Sequence, residues 1–92
     1  MYKYHILISG KVQGVFFRLY TKKKADELGL SGWVKNLPSR QVKVIILGSQ
    51  EKIDKMIKWF WHGSPLAKVE NVEILNKAGV SRDKFNGKFL IK

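Results

Sequence analysis

The stretch that decides how this chain folds is Gly10-Lys11-Val12-Gln13-Gly14-Val15-Phe16-Phe17-Arg18, which joins an alternating strand pattern to a helical one. Glycine lets the main chain adopt positive φ and approach a ligand closely, so successive N–H groups can converge on one point. A following helix adds the positive end of its dipole, and the planar guanidinium of Arg18 suits phosphate oxygens. The junction therefore predicts an anion site, although a glycine-containing loop before a helix is also typical of an ordinary turn.

Periodicity on either side of this junction predicts six elements and a tail. Residues 2–9 alternate as a strand, and residues 17–28 have apolar side chains at helical spacing until Gly29 ends the helix. The remaining elements follow the same rules: strands over residues 30–36, 42–47 and 68–76, a second helix opened by Ser49 and ended near Gly63, and a short strand-like tail with Phe89 and Ile91.

The order βαββαβ predicts an α+β, ferredoxin-like sandwich. Two βαβ halves that share one sheet need right-handed crossovers, and the solution is a four-stranded antiparallel sheet with both helices on one face. The tail allows a short extra C-terminal strand. Ninety-two residues suit one core, so we expect residues 1–92 to form a single domain. This fold hosts many unrelated activities and leaves function open.

Composition removes several classes of enzyme. The chain has no cysteine, which excludes a disulfide framework, a thiolate nucleophile and a cysteine-ligated metal. His5 and His62 are far apart in sequence and neither has a cluster of acidic residues beside it, which disfavours a zinc or di-metal hydrolase. No apolar stretch approaches the roughly 20 residues that span a bilayer. We therefore expect a cytoplasmic protein without a membrane partner.

Charge is the second unusual property of the chain. Eighteen basic residues against seven acidic ones give a formal net charge of +11. Such a field concentrates anions, and a phosphorylated small molecule or a nucleic acid would both respond to it. Most of the basic residues are lysines spread along the chain, with Lys22-Lys23-Lys24 as the one run, and this pattern is typical of a solvated surface.

Two segments resemble the signatures of the acylphosphatase family. The stretch from Ile8 to Arg18 is similar to the first signature, and Gly32-Trp33-Val34-Lys35-Asn36 is similar to the core of the second. Further matches run almost from end to end: Ala25, Leu28, Gly29, Val42, Gly48 and Gly63-Ser64-Pro65-Leu66-Ala67-Lys68-Val69.

One position departs from the family pattern. The family usually has a glycine four residues after the asparagine, and this chain has Arg40 there, within the predicted hairpin Leu37-Pro38-Ser39-Arg40-Gln41. Because a side chain disfavours positive φ, we expect the hairpin tip to use a different turn type, with activity retained.

The resemblance implies an enzyme that hydrolyses acyl phosphates to a carboxylate and inorganic phosphate, by in-line attack of water and without a metal ion or organic cofactor. Arg18 and Asn36 are then the catalytic residues: Arg18 binds the phosphoryl oxygens, and the Asn36 amide orients the water. The phenyl rings of the loop are expected to close the core rather than contact substrate. The resemblance also implies that the phosphoryl group is cradled by the main-chain N–H groups of Gln13, Gly14, Val15, Phe16, Phe17 and Arg18.

Two other functions remain open from the sequence. A basic ferredoxin-like domain could bind nucleic acid, but such modules stack bases on aromatic residues of central strands, and the third strand, residues 42–47, contains none. An acylphosphatase-like domain could also survive as an inactive binding unit, and the presence of both Arg18 and Asn36 counts against that. We expect a monomer.

Overall fold

The computed structural model describes all of residues 1–92 and consists of a five-stranded sheet with two helices. The six predicted elements are present, and the tail forms a fifth strand after a short 3-10 turn that the sequence pattern did not indicate. In chain order they are β1 (Tyr2–Lys11), α1 (Phe17–Leu28), β2 (Ser31–Asn36), β3 (Val42–Gly48), α2 (Gln50–His62), β4 (Lys68–Gly79), the 3-10 turn Arg82–Lys84, and β5 (Phe89–Ile91).

The strands lie in the order β4-β1-β3-β2-β5. The first four are antiparallel to their neighbours, which confirms the ferredoxin-like core. β5 instead runs parallel to β2, with Gly32 opposite Phe89 and Val34 opposite Ile91. The sheet is therefore mixed. The pattern of only three residues in β5 could not predict the direction of that strand.

The core lies between the sheet and the helices. Every second side chain of a strand and one face of each helix point into this space. In β1 and β3 every second side chain is buried towards the helices, and the opposite helix faces close over them. Phe17 joins the two helices, since its ring centroid is 5.7 Å from that of Trp59 and 6.4 Å from that of Phe60. The fully buried side chains include Ile6, Ile8, Val42, Val44, Ile46, Ile53, Met56, Phe60 and Phe89.

The helix ends follow the predicted chemistry except at the start of α1. Ser49 caps α2 by accepting from the Lys52 N–H, and Gly29 ends α1 in the left-handed conformation with φ of 69°. Phe16, the residue before α1, is also left-handed and offers no side-chain cap. The first N–H groups of α1 are thus left for another acceptor. No helix is long and apolar enough to cross a membrane.

The β2–β3 hairpin corrects one expectation. Arg40 adopts φ of 71°, so the positive-φ turn is kept although the residue is not glycine. The Arg40 N–H donates to the Leu37 carbonyl at 3.1 Å, and the Leu37 N–H donates to the Gln41 carbonyl at 2.8 Å. The prediction of a different turn type is wrong, because these two hydrogen bonds and the fixed φ of Pro38 dictate the geometry of the tip.

Candidate active site

A cavity of about 320 Å³ opens where the β1–α1 loop, the end of β2 and β5 meet. The structure brings Arg18 and Asn36 to this one cavity, although they lie on different elements. No carboxylate lines it, so the charge facing the cavity is positive. Its lining residues are Val12, Gln13, Gly14, Phe16, Phe17, Arg18, Leu19, Asn36 and Ile91.

The loop offers a row of free donors. None of the main-chain N–H groups of residues 13–18 donates to an acceptor within the protein. Four of these residues come before α1, and the other two are its first two residues, which no preceding turn can satisfy. Consecutive unsatisfied N–H groups at a helix start bind anions well.

Two left-handed residues shape this loop. Gly14 has φ of 73°, and Phe16, only two residues later, has φ of 60°. Glycine takes that conformation freely, whereas a bulky residue pays about 1–2 kcal/mol for it. The sequence pointed to Gly14 as a positive-φ position and missed Phe16, because nothing in the residue type signals it.

Contacts with β4 and with Ser64 also hold the loop in place. Gly10 has φ of 122° and lies against β4 so closely that a Cβ there would overlap the main-chain oxygen of Lys68. The Ser64 hydroxyl donates to the Val15 carbonyl at 2.6 Å. Val15 itself is buried in the core and does not line the cavity, so a ligand can contact only its main chain. The other five predicted binding residues line the cavity.

Arg18 is the second residue of α1 and is half-buried. Its Nη1 donates to the main-chain oxygen of Lys92 at 2.9 Å, which holds the guanidinium beside β5. The other N–H groups of the fork make no hydrogen bond within the protein. Sequence reasoning missed Lys92, since a main-chain acceptor 74 residues away leaves no signal in the residue pattern.

Asn36 is the last residue of β2. Its Oδ1 is buried and accepts no hydrogen bond within the protein. A buried amide oxygen without a donor costs about 1–3 kcal/mol, so such a group in a native protein calls for a partner from outside. Asn36 itself lines the cavity, together with Arg18 and the loop.

Gln13 joins the loop to the hairpin that follows Asn36. Its side-chain amide donates to the carbonyls of Leu37 and Gln41, both at 2.9 Å. The Gln13 side chain is therefore a brace, and only its main-chain N–H is free for an anion.

The mouth of the cavity is apolar, which the sequence did not predict. Phe16 was expected to close the core with Phe17, and this is wrong for Phe16: its side chain is exposed, while Phe17 is buried. Leu19 and Ile91 are exposed beside it and line the same cavity. The helical pattern could have indicated Leu19, since it lies on α1 away from the buried positions.

His5 lies on the sheet face opposite the helices, away from the cavity. Burial lowers the pKa of His5 below its ordinary value, and the charges of Lys3 and Lys43 lower it further. It has no part in the arrangement around Arg18.

The comparisons with known proteins agree on one family. A family model described as Acylphosphatase matches residues 4–89. The chain is 50% identical over 68 residues to an acylphosphatase from Coxiella burnetii, covering 74% of this chain and 72% of that one. It is 41% identical over 86 residues to an acylphosphatase from Syntrophobacter fumaroxidans, covering 94% and 82%. The crystal structure of an acylphosphatase from Bacillus subtilis is similar with a TM-score of 0.92 at 29% identity, covering 100% of this chain and 99% of that one.

Proposed function

This chain belongs to the acylphosphatase family and is an enzyme that hydrolyses acyl phosphates, and we propose that the reaction takes place between Arg18 and Asn36. One observation carries the assignment of the site: Asn36, whose side-chain amide makes no hydrogen bond within the protein, lines the same cavity as Arg18 and the loop with the free N–H groups of residues 13–18. An amide for water and a set of donors for a phosphoryl group thus lie side by side.

The phosphoryl group binds to the loop. The N–H groups of residues 13–18 donate to its oxygens, and the free part of the Arg18 guanidinium adds a charged fork. In a loose phosphoryl-transfer transition state, charge spreads over the three equatorial oxygens, so fixed donors around them lower the barrier. Because the guanidinium is already held by Lys92, it needs little reorganisation.

Asn36 positions the water. Its side-chain amide, which makes no hydrogen bond within the protein, binds the attacking molecule and directs the water oxygen towards phosphorus. An amide is no base, so the water proton passes to a phosphoryl oxygen. The new bond joins the water oxygen to phosphorus, and the bond from phosphorus to the carboxyl oxygen breaks with its electron pair. A dianionic acyl phosphate and water therefore yield a carboxylate and dihydrogen phosphate.

This reaction needs no general acid. A carboxylic acid has a pKa near about 4, so the carboxylate leaves without a proton. The residues of the cavity are suited to that requirement, since none of them is a histidine or a carboxylic acid. The positive charge that the phosphoryl group needs comes from Arg18 and the loop, so the mechanism uses neither a metal ion nor an organic cofactor.

Phosphate release from acetyl phosphate, measured with a chelator present, tests the assignment. Arg18→Ala should lower kcat at least about a hundredfold, as removal of a transition-state donor does. Arg18→Lys should recover only part of that loss, because lysine keeps the charge and lacks the planar fork. Asn36→Ala should lower kcat with little change in KM, because Asn36 is proposed to contact water.

Arg82→Ala is the matched control, since it removes the same charge from an exposed position outside the cavity. It should retain parental activity. Arg18→Ala with parental kcat would refute the site, and a comparable loss in Arg82→Ala would show that net charge alone is responsible.

We also propose that the enzyme works as a monomer and that residues 1–92 act as one domain, since one chain supplies every group that the proposed mechanism uses. Cytoplasmic localisation stays a prediction, which cell fractionation can test. Family membership favours the enzyme over a nucleic-acid-binding module.

A further inference from the structure

Lys22 links helix α1 to the short strand β5. Its ammonium donates to the main-chain oxygen of Phe89 at 3.0 Å and to the carboxylate of Asp26 at 2.9 Å. The Lys22 side chain is half-buried, and Phe89 is fully buried in the core. This hydrogen bond therefore joins a side chain near the surface of the helix to the main chain at the start of β5.

The two lysines that follow Lys22 make no such link. The Lys23 ammonium lies 5.5 Å from the centre of the Tyr20 ring, and the Lys24 ammonium pairs with Glu27 at 3.5 Å. Both partners belong to α1 itself. Within the basic run of residues 22–24, Lys22 is thus the residue that holds α1 to another element.

Strand β5 depends on contacts of this kind. It has only three residues, lies at the edge of the sheet and pairs with β2 on one side. Two of its three side chains, Leu90 and Ile91, are exposed. Short segments with few buried contacts open locally at a small cost in free energy. The position of β5 therefore rests on Phe89 in the core, on the pairing with β2 and on the hydrogen bonds from α1.

The position of β5 in turn determines the geometry of the active site. Ile91 lines the cavity. The main-chain oxygen of Lys92, directly after the strand, accepts from Arg18 Nη1 at 2.9 Å. A displacement of β5 would therefore move the acceptor that holds the guanidinium.

Arg18 and Lys22 are one helical turn apart, so they lie on the same side of α1. They bind the two ends of the same strand, Lys92 and Phe89 respectively. A lysine four residues before an aspartate is the less favourable order for an ion pair within a helix, so the contact with Asp26 stabilises α1 little. Its main effect is to hold the Lys22 ammonium beside β5.

We propose that Lys22 is a positioning residue for the reaction. This inference rests on the proposed function and adds a residue that contacts neither the substrate nor the attacking water. Lys22 fixes β5, β5 fixes the Lys92 oxygen, and that oxygen orients the Arg18 guanidinium. Without Lys22, Arg18 is still present but samples orientations that do not face the phosphoryl oxygens, which lowers the rate.

Phosphate release from acetyl phosphate by Lys22 variants tests the proposal. Lys22→Met has a similar shape but no donor, and it should lower kcat about tenfold and weaken inhibition by inorganic phosphate about threefold. Lys22→Arg keeps the charge and the donors, so it should recover most of the loss. Urea unfolding of each variant shows that it is folded under the conditions of the assay.

The same substitution in an Arg18→Ala background separates positioning from general damage. Because Lys22 is proposed to act through Arg18, Lys22→Met should cause no further fall in kcat once Arg18 is gone. A purely structural role would lower kcat by the same factor in both backgrounds. Lys24→Met is the matched control, since it removes the same charge and an ion pair from the same helix, and it should keep parental kcat.

Parental kcat in Lys22→Met, or an equal further fall in the Arg18→Ala background, would overturn the positioning role. Either result would leave the proposed function intact as long as Arg18→Ala loses turnover of acetyl phosphate. If Arg18→Ala hydrolyses acetyl phosphate as the parent does, the proposed function fails and the role of Lys22 fails with it.

Discussion

Replacement of Gln13 by glutamate tests whether the brace holds the active-site loop to the β2–β3 hairpin. Gln13 donates to the carbonyls of Leu37 and Gln41, each at 2.9 Å. Glutamate has nearly the same shape, but its carboxylate has no proton to donate and directs negative charge at two carbonyl oxygens. Gln13→Ala removes the same two bonds without adding the charge, so the two variants separate lost bonding from repulsion.

The expected magnitudes follow from the contacts. Each lost hydrogen bond between neutral groups costs about 1 kcal/mol. The Leu37 and Gln41 carbonyls keep their other donors, the N–H groups of Arg40 and Leu37, so neither becomes unsatisfied in Gln13→Ala. We expect that variant to lose about 2 kcal/mol of unfolding free energy. Gln13→Glu should lose a further 1–2 kcal/mol or so, because a partly buried charge then lacks any partner.

Urea unfolding followed by tryptophan fluorescence measures the loss of unfolding free energy in each variant. The pH dependence then separates the effect of the added charge from that of the lost hydrogen bonds. Near pH 7.5 the glutamate variant should be the less stable of the two. Near pH 4.5 the added acid takes up a proton and donates one hydrogen bond, so the gap between the variants should narrow or reverse. A glutamate variant as stable as the parent near neutral pH would refute the brace. Parental kcat in both variants would show that the brace does not position Asn36.

Two further predictions concern stability away from the cavity. Arg40→Gly should raise the free energy of unfolding by about 1 kcal/mol, because glycine adopts the observed φ of 71° without the penalty of a side chain. The midpoint of urea unfolding measures this gain, and an unchanged midpoint would argue against strain at Arg40. His5 has a pKa lowered from 6.5 by burial and by Lys3 and Lys43, so the unfolded chain binds a proton more readily and stability falls as the pH drops below about 6.5. In His5→Gln the loss between about pH 7.5 and about pH 5.5 should be smaller, and an equal loss in both proteins would contradict this.

Local patterns predicted most of the fold because their causes are local. The helix over residues 17–28 has the same bounds in sequence and structure, since apolar spacing and Gly29 both act within a few residues. The hydrogen bond from the Gln13 side chain to Leu37 and the parallel pairing of β5 with β2 instead join residues far apart in the sequence. No residue next to them in the sequence indicates either contact.

The candidate site divides in the same way. Arg18, Asn36 and the loop were predicted on two short motifs that resemble the acylphosphatase signatures. Glycine spacing and residue type support the loop and Arg18 as an anion site, whereas the role of Asn36 rests on the resemblance. The exposure of Phe16 and its left-handed φ were missed, since the residue type predicts burial. The burial of the Val15 side chain is consistent with the prediction, which assigned only the main-chain N–H of Val15 to the ligand.

By itself the sequence determined the order of the helices and strands and the family, and it supplied the prediction of which residues bind a phosphoryl group. Tertiary structure alone decided that Arg18 meets Lys92, that the Asn36 oxygen stays without a donor, and that the mouth of the cavity is apolar. The physical reason is the distance along the chain over which each effect acts. Propensity and periodicity act over a few residues along the chain, whereas a cavity depends on side chains that only packing brings together.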